Sequence, residues 1–179
     1  LRVYAPKVKV IVSNIENVNL TKKIHQGAID LVFTTSAYVP EGLISLPLFT
    51  ERYCCVSANK LIKFDGFLPL QQLVEYDFVI VSPGFASFTG SADPWFEQQG
   101  FPRRVAVSSP SFFMAKEMLK HSDMVGFIPA RLLPCEGLME IPLEKYPPGY
   151  QVVVAFHPSV KQDPLINWLL DIITNRFHS

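Results

Sequence analysis

The chain of 179 residues is 49% hydrophobic and 18% charged, which excludes intrinsic disorder and leaves enough apolar mass for the core of one domain or two small ones. Its 16 basic residues balance 16 acidic ones without a Lys/Arg cluster, so any grip on nucleic acid has to come from outside this sequence. Three cysteines, two of them adjacent, form no disulfide framework and favour a reducing cytoplasm, and the apolar runs are too short to span a membrane.

In chain order, LRVYAP reads as the tail of a helix, with no signal peptide, and predicts that the sequence begins inside a larger protein. Val8 to Val12 is a strand candidate. Val18 to Gln26 fits a helix with Leu20 and Ile24 four residues apart, and Gly27 supplies its left-handed end. Ile29 to Phe33, apolar except for Asp30, predicts a strand covered on both faces. Leu43 to Phe49 and Arg52 to Ser57 are two further strands, followed by a short helix over Leu70 to Glu75 and a strand over Phe78 to Val81. Three later helices announce their starts with a capping residue before proline: Asp93-Pro94, Ser109-Pro110 and Asp163-Pro164. The last carries a stripe of Leu165, Trp168, Leu169, Ile172 and Ile173. Between them lie strands at Val105 to Val107, Met124 to Ile128 and Val152 to Phe156.

Strand–helix alternation predicts an α/β fold with mostly parallel sheet. The alternation lapses at Leu43–Ser57 and Leu138–Phe156, where strand follows strand, and these mark crossings between two lobes. The expected division is a first subdomain of residues 1–59 and 137–179 and a second of residues 60–136.

No motif marks catalysis. Ser57-Ala-Asn-Lys60 matches SxxK without its companion motifs, the four histidines lack ligand spacing, and SPGFASFTG is no phosphate loop. No metal or cofactor is expected. The stronger signal is hydroxyls at strand ends, where ligands sit in open α/β sheets. Thr34, Thr35 and Ser36 follow LVF; Ser82, Pro83, Gly84 and Phe85 follow VIV; and Ser109, Pro110, Ser111 and Phe112 follow VAV. Phe85, Phe88, Phe112 and Phe113 would add aromatic walls, giving the usual makeup of a small-molecule pocket. Residue by residue, each hydroxyl is better explained by a cap or a turn; together they favour a ligand cleft.

LTKKIHQGAIDLVF, ISLPLFTERYCCVSANK, DPWFEQQGFPRRVAVSSPSFFMAKEMLKHSDMVGFIPARL, LEKYPPGYQVVVAFHP and KQDPLINWLLDII, in that order, resemble the effector-binding domain of LysR-type transcriptional regulators. The resemblance implies a two-lobed fold like the type 2 periplasmic binding proteins, with an effector between the lobes. It also implies an upstream helix-turn-helix domain that alone contacts DNA, and homodimers or homotetramers. Matched by position, it places effector contacts at Thr34 and Thr35, with Ser36 a weaker third, at the loop from Ser82 to Phe88, at Pro110, Ser111 and Phe112, and at Phe127, Ile128 and Pro129. The effector would be a carboxylate or an aromatic compound, held by hydroxyls and backbone N–H groups because the loop SPGFASFTGSA carries no charge. The family's first strand and helix have no counterpart here, and that strand belongs to the middle of the first sheet. An exported solute-binding protein and an enzyme share the architecture; a signal peptide or a catalytic group in the cleft would mark them.

Overall fold

The computed structural model describes residues 3–14, 19–83 and 87–178, folded around two sheets. In chain order the elements are α1 (Leu20–His25), β1 (Val32–Thr35), β2 (Ile44–Glu51), β3 (Tyr53–Ser57), α2 (Leu70–Leu73), β4 (Asp77–Val81), α3 (Asp93–Gln98), β5 (Arg104–Ser109), α4 (Phe112–Lys120), β6 (Val125–Pro129), β7 (Met139–Ile141), β8 (Tyr150–Phe156) and α5 (Pro164–His178). The first sheet has the order β1-β8-β2 and the second β5-β4-β6-β3-β7.

Parallel pairing is carried by β4, flanked by β5 and β6, each reached through a helix. The described pairs of the first sheet, and those of β3 with β6 and β7, are antiparallel. The β4 run Phe78, Val79 and Ile80 is buried on both faces. On one side Phe78 and Ile80 pack with Phe96 of α3 and Phe127. On the other Val79 packs with Ala115 and Leu119 of α4. That double cover is why β4 reads as continuous apolar sequence. The first sheet is covered on one face by α5 through Ile166 and Leu170, and on the other by α1 through Leu20 and Ile24 against Val32.

The chain leaves the first sheet at Arg52 and returns between Ile141 and Tyr150. β3 and β7 therefore belong to the second sheet, although the sequence division at 59/60 and 136/137 assigned them to the first subdomain. The reason is pairing: β6 offers β3 a full antiparallel register from Tyr53↔Pro129 to Ser57↔Val125, and β7 then pairs with β3.

Other expectations shift for similar reasons. Val8 to Val12 forms no strand, and Val10, Ile11 and Val12 stand 59%, 94% and 90% exposed, since no strand of the described residues takes up their N–H and C=O groups. The expected Ile29–Phe33 strand forms as β1, displaced toward the threonines. It sits at a sheet edge with β8 as its neighbour, so Phe33 is exposed rather than covered. Val18, the expected start of α1, lies outside the described residues. Asp93 is the first residue of α3, not its cap; its carboxylate accepts instead from the Gly90 N–H and Arg103 Nε. Ser109 remains in β5, held by its register with Val81, and Ser111 caps α4. Asp163 caps α5 as expected, accepting from the Leu165 N–H at 2.8 Å. That helix buries Ile166 and Leu170 while Leu165 is 42% exposed, so the stripe is rotated from the one read in the sequence.

Candidate functional site

The site is built from strand ends. In the first sheet Thr35 lies opposite Val152, next to Phe49, so the end of β1, the start of β8 and the end of β2 share one edge, which abuts the crossing at Arg52. In the second sheet Val81 pairs with Ser109, the Ser82 N–H donates to the Ser109 carbonyl at 2.9 Å, and Pro129 pairs with Tyr53. The ends of β4, β5 and β6 therefore form one edge with the start of β3, on the other side of the same crossing. The Ala130 N–H donates to the Arg52 carbonyl at 3.0 Å, tying the chain after β6 to the crossing residue.

Most of the expected contact residues lie on these edges. Thr34 and Thr35 are half-buried and Ser36 is exposed, in a short helical turn after β1. Strand alternation puts Thr34 on the face of Val153 and Thr35 on that of Val152, so the two threonines address opposite faces. Ser82 and Pro83 follow β4, whereas Gly84 and Phe85 lie outside the described residues. Pro110 is exposed, and Ser111 accepts from the Met114 N–H at 3.3 Å while the Ser109 hydroxyl donates to the Ser111 carbonyl at 3.0 Å. Phe112 is half-buried against the α4 side of the second sheet, and Phe127 and Ile128 are core residues on opposite faces of β6. Phe88 and Phe113, expected as walls, stand 67% and 76% exposed. Ser57, of the SxxK match, is fully buried and donates to the Met124 carbonyl, a structural role.

Several residues at this junction escaped the sequence reading. The Tyr53 ring contacts Tyr150 of the first sheet at 5.2 Å and Phe127 at 6.0 Å, and its hydroxyl lies 2.9 Å from Ser91 Oγ. Burial pushes the Tyr53 phenol up, opposed by the Ser91 hydrogen bond and the charge of Arg103, with Tyr38 adding to the rise. Burial likewise raises Tyr150, helped by Tyr53 and Glu51. Behind Ser91, Arg103 is 4% exposed in its side chain and pairs with Asp93 while lying over Phe78 and Phe96. The signal that was available is positional: Tyr53 and Tyr150 open the two strands that enter and leave the crossing.

On the far side of Arg52 the contacts are ionic. Glu51, 5% exposed in its side chain, accepts from the Arg52 N–H at 2.9 Å and lies 3.7 Å from Arg131 Nε, whose guanidinium covers the Phe49 ring at 4.1 Å. Two open cavities of about 490 and 460 Å³ flank Arg52, one lined by Thr50, Glu51 and Arg131 and one by Leu133, Pro134, Cys135, Leu138 and Glu140. Neither is lined by Thr34, Thr35, Ser36, Ser82, Ser109 or Ser111. Among the described residues no His/Cys/Asp/Glu group could hold a metal ion, and no helix is long and apolar enough to cross a membrane.

The family model of the LysR substrate binding domain matches residues 1–178. The chain belongs to this family. As a LysR substrate binding domain it shares a fold with the regulatory domain of MexT, a transcriptional activator of Pseudomonas aeruginosa, at a TM-score of 0.76 and 20% identity over 97% of this chain and 85% of that one. The regulatory domain of CcmR from Synechocystis, solved in complex with 2-PG, is similar at a TM-score of 0.77 and 15% identity, over 98% and 86%. In sequence the domain is 24% identical to the HTH-type transcriptional activator NagR of a Ralstonia species, over 97% of this chain and 58% of that protein. It is 20% identical to the activator NahR of Pseudomonas putida, over 97% and 59%. The chain thus spans less than two thirds of the length of NagR and NahR. The fold is the two-lobed, type 2 periplasmic-binding-protein-like one, and the family is one of regulator domains, not enzymes.

Proposed function

We propose that this LysR substrate binding domain senses a small molecule at the junction of its two sheets and passes the bound state to a DNA-binding domain elsewhere in the same protein, regulating transcription. The observation that supports the reading is that hydroxyl-bearing strand ends of both sheets, Thr34 and Thr35 in one and Ser82, Ser109 and Ser111 in the other, lie on the two sheet edges that the Arg52 crossing joins. The proposed lobes follow sheet membership, with the crossing strands as hinge. An effector touching both lobes favours one lobe geometry through its differential affinity for the two, which is all that such a switch requires. The ligand class is an aromatic compound or a carboxylate, since the junction offers aromatic rings and hydroxyls. The protein would work in the cytoplasm as a homodimer or homotetramer, with DNA contact made outside this domain.

The test is thermal denaturation of the full-length protein with a panel of small carboxylic and aromatic acids. At least one compound raises the wild-type melting temperature, and Thr34→Ala or Ser111→Ala reduces that rise from its own baseline. A panel that shifts neither wild type nor variants refutes the reading.

A further inference from the structure

We infer that Tyr53 is the specificity-determining residue of this site, and that Ser91 occupies its hydroxyl as an internal stand-in for an oxygen of the effector. The inference rests on the ligand-sensing reading above and names what the site recognises: a flat, apolar molecule carrying a hydrogen-bonding oxygen.

Tyr53 is the first residue of β3, and its ring touches both halves of the fold, Tyr150 from the first sheet and Phe127 from the second. A planar ligand settling at this junction lies beside the half-buried Tyr53 and Tyr150 rings, with Phe127 in the core behind them, and rings favour offset or edge contacts with one another. The one hydroxyl of Tyr53 is engaged by Ser91 Oγ at 2.9 Å, while Ser91 itself is exposed. The partner is held ready by its neighbours. Asp93 accepts from the Gly90 N–H and from buried Arg103, pinning the backbone on both sides of Ser91. An exposed serine is easily replaced by a ligand oxygen or by water, whereas a half-buried phenol loses a partner only at a cost comparable to a hydrogen bond. The exchange keeps the phenol satisfied and lets the site distinguish ligands that bring an oxygen from those that do not.

The prediction has opposite signs at the two residues. Benzoate, 4-hydroxybenzoate, phenylacetate and phenol are titrated against the full-length protein by calorimetry, with Tyr53→Phe, Ser91→Ala and the double variant in parallel. For any of the four that binds wild type, Ser91→Ala binds about threefold to tenfold tighter, because the competitor is gone, and Tyr53→Phe about threefold to tenfold weaker. The double variant matches Tyr53→Phe alone, since Ser91 acts only through that hydroxyl. A purely structural pair would weaken binding in both single variants. That result, or no change in either, overturns the inference while leaving the sensing site intact. Binding of none of the four to wild type overturns the ligand class itself. Melting temperatures of the unliganded variants separate loss of fold from loss of recognition.

Discussion

Burial raises the Cys54 thiol from its usual 9.0 to about 11, reinforced by Glu140 and opposed by Arg52, and pushes fully buried Cys55 higher still. Neither is a thiolate near neutral pH, and neither is exposed, so both behave as small core residues. Cys135 is partly exposed, at the lip of a cavity. Of these three thiols, Ellman's reagent at pH 8 should therefore modify Cys135 quickly in the native protein, and Cys54 and Cys55 only after unfolding in urea. Fast native reaction of the adjacent pair would show that this part of the second sheet opens readily. The same shifts set a pH dependence. A group whose folded pKa is raised contributes stability in full below its unfolded pKa and loses it as pH rises through the folded value. The Cys54 contribution thus declines from pH 9 to about 11, and the raised Tyr53 and Tyr150 phenols act in the same direction above their usual 10.0. The urea midpoint should be flat from pH 7 to 8.5 and fall steadily toward pH 11, less steeply in Tyr150→Phe. A flat midpoint to pH 11 would contradict the burial of these groups.

Among the elements, the turn into β8 has no room for a side chain at its glycine. A Cβ on Gly149 would stand 2.4 Å from the Glu51 carbonyl oxygen, a backbone atom with no rotamer to escape into. Gly149→Ala should cost about 1–3 kcal/mol, which in a chain of this size is about 2–4 °C of melting temperature per kcal/mol. An unchanged melt would mean that β8 and β2 can separate there. A Cβ on Gly126 in β6 would meet the tip of the buried Leu119 side chain at 2.9 Å and the Val79 carbonyl oxygen at 3.1 Å, wider than the backbone approach at Gly149, so alanine there should also destabilise but cost less. The capping signals were legible in type but not always in place. Asp163 caps α5, whereas Asp93 is drawn away by a buried arginine ten positions on, and Ser109 is held extended by β4 so that the cap passes to Ser111. In both failures a tertiary partner outweighed a local preference worth about 1 kcal/mol.

For the molecule as a whole, the Arg131–Glu51 pair links the segment after β6 to the end of the first sheet. Removing the cation leaves a buried carboxylate, but Arg131 is itself 55% exposed, so Arg131→Ala should cost only about 1–2 kcal/mol. Arg131→Lys should not restore it fully, because a planar guanidinium covers Phe49 and an ammonium does not. Thermal melts of the two variants check this; full recovery by lysine would reduce the role of Arg131 to bare charge. Sequence alone determined the α/β alternation, the turn glycine at Gly27, the final helix cap and the hydroxyls at Thr34, Thr35, Ser82 and Ser111. Each depends on residues within a few positions of one another, where period, cap and turn chemistry act. Tertiary structure decided the rest. Val8 to Val12 has strand-like sequence and no strand, because a strand is a property of paired backbones. β3 joined the second sheet because β6 offered the better register. Tyr53, Ser91 and Tyr150 became neighbours only when two sheets met at one crossing, a proximity that no local spacing encodes.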